Sequence, residues 1–163
     1  MYKAPDRDIR EKVGPYLVPI GRTAAGICLG IVLSMLGIAL AWGLFLFFGS
    51  QSVNIWLGSL YLGAGLGAGI GGFFAWLRVD GDDNWTLVIT AVIITGAGVL
   101  GAWAGFEYGS TREIECCAMP TKSPLYYTAL GSDALANVAA IGVAAVRAVL
   151  ARQKQSQIQN RVH

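Results

Sequence analysis

Asp133 and Asn137 are the residues of this 163-residue chain whose types and spacing point most directly to chemistry. They lie four residues apart, and so on one face of a helix, among apolar and small residues. A carboxylate inside an apolar helix is energetically expensive and often marks an ion or proton route. We favour a structural interpretation, in which Asp133 reaches interfacial water, pairs with Arg112 or Lys122, or makes an interhelical hydrogen bond that fixes register.

A second group of reactive side chains surrounds the adjacent cysteines Cys116 and Cys117, with Met119 close by. Thiolate and thioether sulfur atoms are suitable ligands for copper or zinc. Zinc sites normally take a second pair of ligands from elsewhere in the chain, and the one further cysteine here is Cys28. We therefore predict no metal site and expect free thiols, with a disulfide to a partner and a bound metal left as alternatives.

Several classes of enzyme are excluded by the side chains available. His163 is the one histidine of the chain, so neither a bis-histidine haem nor a three-histidine zinc centre can be built from this chain alone. No serine, histidine and acid set is available, and the glycine runs lack the lysine and hydroxyl residue of a phosphate-binding loop. We predict no catalytic residues, no enzymatic activity and no binding of nucleic acid.

The elements that must position these residues are four long apolar segments. Hydrophobic residues make up 55% of the chain and charged residues 13%, against roughly 25% charged in soluble domains. Each segment exceeds the ~20 residues that cross a bilayer as a helix. The sequence predicts an all-α integral membrane protein, a four-transmembrane-helix bundle over 23–150. The predicted spans are about 23–48, 55–77, 85–106 and 126–150, with an N-terminal segment 1–22, an external loop 107–125 and a basic tail 151–163.

The positive residues predict the orientation of this bundle. Four spans place both termini on one side, and that side receives ten of the twelve lysines and arginines, leaving Arg112 and Lys122 on the other. Loops kept in the cytoplasm carry the excess of positive residues near the spans. We therefore expect both termini to be cytoplasmic and the protein to occupy the cytoplasmic, or inner, membrane.

Small residues recur at every fourth position of the predicted spans. Glycine and alanine at this spacing let helix backbones approach closely in lipid. These Gly/Ala-xxx-Gly/Ala faces are expected to pack against each other within the bundle, or, in the alternative, against partner proteins. The second span carries two such rows, with Gly65 and Gly69 on the second. The packing residues that we single out are Gly26, Gly30, Gly63, Gly67, Gly71, Gly101 and Gly105.

Two classes of function remain after these exclusions. The first is a small integral membrane subunit that docks on and stabilises a larger membrane complex. The second is a small oligomeric ion or proton channel or transporter in which Asp133 and Asn137 line a route between packed copies. The expected partners are the lipid bilayer and either other membrane subunits or further copies of the chain, while the identity of any bound pigment or lipid stays open.

Overall fold

The computed structural model describes residues 6–48, 52–76, 84–111 and 123–161. They form four helices, α1 (Asp6–Phe48), α2 (Val53–Trp76), α3 (Asn84–Ser110) and α4 (Pro124–Arg161). Each contains a segment long and apolar enough to cross a membrane, namely Val18–Phe48, Val53–Trp76, Asn84–Ser110 and Pro124–Gln153. The predicted class, an all-helical chain with four helices able to span a membrane, is confirmed.

The first and last helices extend beyond the predicted spans. α1 begins at Asp6 rather than near residue 23, and α4 continues past residue 150 to Arg161. An apolar run marks the part of a helix that can lie in lipid, but it does not mark where the helical backbone ends, because polar residues such as lysine, arginine and glutamine are also good helix formers. The predicted 151–163 tail therefore continues α4 through residue 161.

The starts of α2 and α4 follow from local sequence. Ser52 and Ser123 precede the first helical residues, and serine is among the preferred residues at this capping position. Trp56 donates its backbone N–H to the Ser52 carbonyl at 3.1 Å, and Tyr126 donates to the Ser123 carbonyl at 2.9 Å. Pro124 opens α4, where its missing N–H costs nothing and its fixed φ suits a helix.

Consecutive helices run antiparallel, and α2 and α4 each contact the three other helices, whereas α1 and α3 make no close backbone contact within the described residues. α2 is the most buried of the four. Its buried positions are mostly glycine and alanine, so its backbone can approach three neighbours at once. The most buried helix of the bundle therefore packs mainly through glycine and alanine.

The interior divides into two clusters of mostly small side chains. One contains Ile38, Leu60, Ala64, Ala102 and Ala129, with Trp56, Tyr61 and Phe106 packed against it. The other contains Ala68, Ile94, Ala136 and Ala140. Most large apolar side chains, including those of Leu36, Leu66 and Ile93, instead lie exposed on the outer surface. This distribution suits lipid outside the bundle and close backbone packing inside it.

Candidate functional site

Asp133 and Asn137 form a hydrogen-bonded pair along one face of α4. The Asn137 Nδ2 donates to Asp133 Oδ1 at 2.8 Å and to the Asp133 backbone carbonyl at 2.9 Å. A spacing of four residues brings both side chains onto the same face of one helical turn, so the pair forms without help from another helix. The amide thus supplies a donor to a carboxyl group that is only 3% exposed.

The pair is directed at two glycines of α1. A Cβ atom added to Gly30 would collide with Asp133 Oδ1, and one added to Gly26 would lie 2.5 Å from Asn137 Oδ1. The Cα hydrogens that stand in place of these Cβ atoms therefore point at the two oxygens, which is the geometry of a weak Cα–H···O contact. Because the contact repeats one turn apart on both helices, it sets the antiparallel register of α1 against α4.

Three buried oxygen atoms in this part of the bundle, one of them in the pair itself, have no hydrogen-bond partner. Asn137 Oδ1, Ser132 Oγ and Ser34 Oγ accept and donate no hydrogen bond among the described residues. Ser132 precedes Asp133 in α4, and Ser34 lies one turn beyond Gly30 on the same face of α1. Buried polar atoms normally have a partner, so this concentration of free oxygen atoms beside an ionisable group marks a candidate site.

The polar pair lies well inside the bundle. α4 begins at Pro124, so Asp133 is nine residues, about 14 Å, along the helix axis. Gly71 of α2 packs against Gly30, and Ala75 lies beside Gly26, so the site is where α1, α2 and α4 meet. Arg112 and Lys122, the cations expected as partners of Asp133, lie outside the described residues.

The glycines of α2 face neighbours within the same chain. Gly63 lies against the backbone of Gly37, and Gly67 against that of Leu33, both in α1. The second row faces α3, where Gly65 contacts Val99 and Gly69 contacts Thr95. Both rows are thus occupied by helices of the chain itself, and neither is free for another protein.

The contact between α3 and α4 has the same character. Gly101 lies against the backbone of Gly131, and Gly105 against that of Tyr127. Sequence reasoning missed Gly131 because it has no small residue four positions away. It missed Gly37, which is four residues before Ala41, because this pair lies outside the longer row of Gly26, Gly30 and Ser34. Gly37 is seven residues after Gly30, a helical repeat that would have placed it on the same face.

The outer surface of the bundle carries grooves between paired helices, and two of them contain glycines. One, of about 420 Å³, runs between α1 and α2, with Leu36, Leu40 and Leu66 on its walls and glycines at its floor. The other, of about 460 Å³, lies between α3 and α4 beside Tyr108 and Tyr127. Both are lined almost wholly by apolar atoms, so they suit lipid chains or apolar helices and offer no chemistry of their own.

The predicted external cysteines cannot be placed in this geometry. Cys116 and Cys117 lie outside the described residues, while Cys28 is a free thiol exposed on α1. Within the described ranges, no three histidine, cysteine, aspartate or glutamate side chains are grouped to hold a metal ion. The polar pair of α4 and the outer surface of the bundle are therefore the features from which function is argued.

Comparison with protein-family models, curated proteins and solved structures finds no match to the chain. Function is accordingly inferred from the geometry of the chain.

Proposed function

We propose that the protein is a small integral membrane subunit with a structural, accessory role, docking on and stabilising a larger membrane complex through its outer surface. The observation that carries this proposal is a set of helical glycines with no packing duty inside the chain. A Cβ atom added at Gly43, Gly58, Gly96 or Gly142 would meet nothing within 4 Å. Glycine inside a helix costs about 1 kcal/mol relative to alanine, so these positions have no intrachain reason to be glycine.

A close helix partner would supply that reason. In lipid, helices associate where small residues allow backbone contact, as Gly37 and Gly63 do between α1 and α2. Open glycines occur on all four helices, so the proposed docking surface can involve any side of the bundle.

The position of the polar pair favours the accessory role over the channel. An ion route between packed copies requires Asp133 and Asn137 to reach the surface of one chain, whereas their side chains are 3% and 4% exposed. Both point at α1 of the same chain rather than outward. The channel or transporter therefore stays an alternative, and Asp133→Asn with ion flux in reconstituted vesicles tests it.

The experiment for the accessory role is gentle solubilisation followed by measurement of native mass and identification of co-purifying proteins. Four variants, Gly43→Leu, Gly58→Leu, Gly96→Leu and Gly142→Leu, each place a bulky side chain on one outer face without a clash in the chain. At least one is expected to reduce co-purification by tenfold or more while thermal stability is retained. Leu66→Phe, on the exposed side of α2, is the matched control for added bulk.

A homo-oligomer alone, or partners retained in all four variants, would contradict this proposal. In the first case the native mass is a multiple of the chain mass with no other protein present. In the second case the open glycines are not the docking surface.

A further inference from the structure

Among the described residues, no positively charged side chain forms an ion pair with the buried Asp133 carboxyl group. Its one polar side-chain neighbour among the described residues is Asn137, a neutral donor at 2.8 Å. Moving an ionised carboxylate out of water into such surroundings is far more costly than one neutral hydrogen bond returns. Within the described helices, a charge on this carboxyl can be balanced by a proton on the carboxyl itself or by a bound cation.

The positively charged side chains of the described helices start far from the pair and form no ion pair with Asp133. The nearer titratable groups, Cys28 of α1 and Tyr126 and Tyr127 of α4, carry no positive charge. On α1 the nearest positively charged side chain is Arg22, eight residues before Gly30 and about 12 Å along the helix. On α4 it is Arg147, ten residues after Asn137 and about 15 Å away. α2 contains no lysine, arginine, aspartate or glutamate, and its one titratable side chain, Tyr61, lies ten residues before Gly71. Glu107 of α3 lies near the opposite end of the bundle from Arg22.

Oxygen atoms suited to a small cation belong to residues within one helical turn of Asp133 or of Gly30, the residue that Asp133 contacts. Asn137 Oδ1, Ser34 Oγ and Ser132 Oγ are buried and unpartnered, and both serines are 0% exposed. Hard cations take carboxylate, amide and hydroxyl oxygen atoms as ligands. Rotating the Asn137 amide by half a turn would exchange its Nδ2 and Oδ1, placing a second acceptor next to Asp133.

We propose that Asp133, Asn137, Ser34 and Ser132 form a binding site for one small monovalent cation, a proton or Na⁺, inside the bundle. When a proton is bound, Asp133 is a neutral acid and Asn137 Nδ2 donates to it, as observed. When Na⁺ binds, the proton leaves to water and the Asn137 amide presents its oxygen to the ion. Charge is conserved, with one Na⁺ entering for each proton released. This site is separate from the docking surface and does not depend on the accessory role.

Infrared spectroscopy of the full-length protein in lipid nanodiscs, grown with ¹³C-carboxyl aspartate, tests the proposal. The chain has six aspartates, and the five besides Asp133 lie outside the candidate spans. Spectra are compared between NaCl and choline chloride at constant pH, and across a pH series in choline chloride. A pH indicator measures proton release on adding NaCl.

The experiment distinguishes a proton from Na⁺ as the bound cation. Loss of one protonated-aspartate band on adding NaCl, with release of about one proton per chain, identifies Na⁺ as a ligand. Loss of that band with rising pH and no response to Na⁺ identifies the proton alone. An aspartate band that responds to neither, whether it stays protonated or stays ionised, overturns the proposal.

Variants distinguish loss of cation binding at this site from general effects on folding. Asp133→Asn should abolish the response, and if this variant does not fold, the labelled wild-type protein still decides the question. Ser34→Ala should weaken the Na⁺ response, or shift the pH response, by about tenfold, because it removes one hydrogen-bonding oxygen. Thr90→Val is the matched control, since the Thr90 hydroxyl is buried in α3 but already donates to the Thr86 carbonyl at 2.7 Å. An unchanged response in Ser34→Ala would overturn the assigned ligand set.

Discussion

Gly30 of α1 and Asp133 of α4 compete for the same space at the contact between their helices. A methyl group at position 30 would collide with Asp133 Oδ1 and also approach Asp133 Cγ at 3.1 Å. The carboxyl group cannot simply swing away, because it is buried and bonded to Asn137. Overpacking of this kind costs about 1–3 kcal/mol.

Gly30→Ala is therefore expected to lower the free energy of unfolding by about 1–3 kcal/mol. Gly96→Ala, the matched control on α3, places its methyl group in open space and should leave stability unchanged or raise it by up to about 1 kcal/mol. Thermal unfolding in detergent, followed by circular dichroism, measures both. Equal stability of the two variants would show that the Asp133 side chain does not occupy the space beside Gly30.

The interaction energy between Asp133 and Asn137 can be measured separately from the energetic cost of burying the two side chains. Removing either side chain alone leaves the other buried without its hydrogen-bond partner, whereas removing both side chains leaves no unpaired polar group. A double-mutant cycle with Asp133→Ala and Asn137→Ala is expected to give a coupling of about 0.6–1.7 kcal/mol, which spans the average and the maximum found for hydrogen bonds between membrane helices. Unfolding in mixed detergent supplies the four stabilities, and additive effects would rule out a direct interaction.

At the scale of the helices, the two glycine rows of α2 join the halves of the bundle. Gly67 lies against the backbone of Leu33 of α1, and Gly65 lies against the backbone and the Cγ2 atom of Val99 of α3. Gly67→Leu and Gly65→Leu should each destabilise the isolated chain by about 3 kcal/mol or more, because backbone cannot yield as a side chain can. Loss of assembly in Gly67→Leu would then report on the chain's own fold rather than on a partner.

Retention of a single sharp peak in size-exclusion chromatography after heating measures this effect. Leu66→Phe, between the two glycines but exposed, adds bulk on the outer side of the same helix and should behave as the wild type. Wild-type behaviour of Gly67→Leu would mean that α1 and α2 can separate without unfolding the chain.

These helices also show which features of the fold can be predicted from the sequence. The four spans follow from apolar length alone, and most of their limits agree within a few residues with the helices. The continuation of α1 back to Asp6 and of α4 to Arg161 does not follow, because hydropathy changes at the membrane surface while the helix does not. The pairing of Asp133 with Asn137 follows from spacing, but its contact with Gly30 depends on long-range register, which no local pattern encodes.

At the scale of the whole molecule, the antiparallel order of the four helices places residues 6 and 161 at the same end of the bundle. Gly37 pairs with Gly63, Gly65 with Gly98, and Gly101 with Gly131, so the chain reverses direction at every joint. The joint 112–122, which contains Cys116 and Cys117, connects α3 and α4 at the opposite end. The excess of lysine and arginine at the ends of the chain then predicts a cytoplasmic location for both termini.

The natural cysteines test this orientation without adding a reporter. In intact cells, a membrane-impermeant maleimide should label Cys116 or Cys117 from outside, either directly or only after reduction if they form a disulfide. Cys28 is exposed on α1, twenty residues before its end at Phe48, and should stay unlabelled because it faces lipid. A variant with Cys116→Ser and Cys117→Ser is the control and should lose the signal. Labelling that requires permeabilised cells, with or without reductant, would reverse the predicted topology, because these cysteines would then share the cytoplasm and the termini would lie outside.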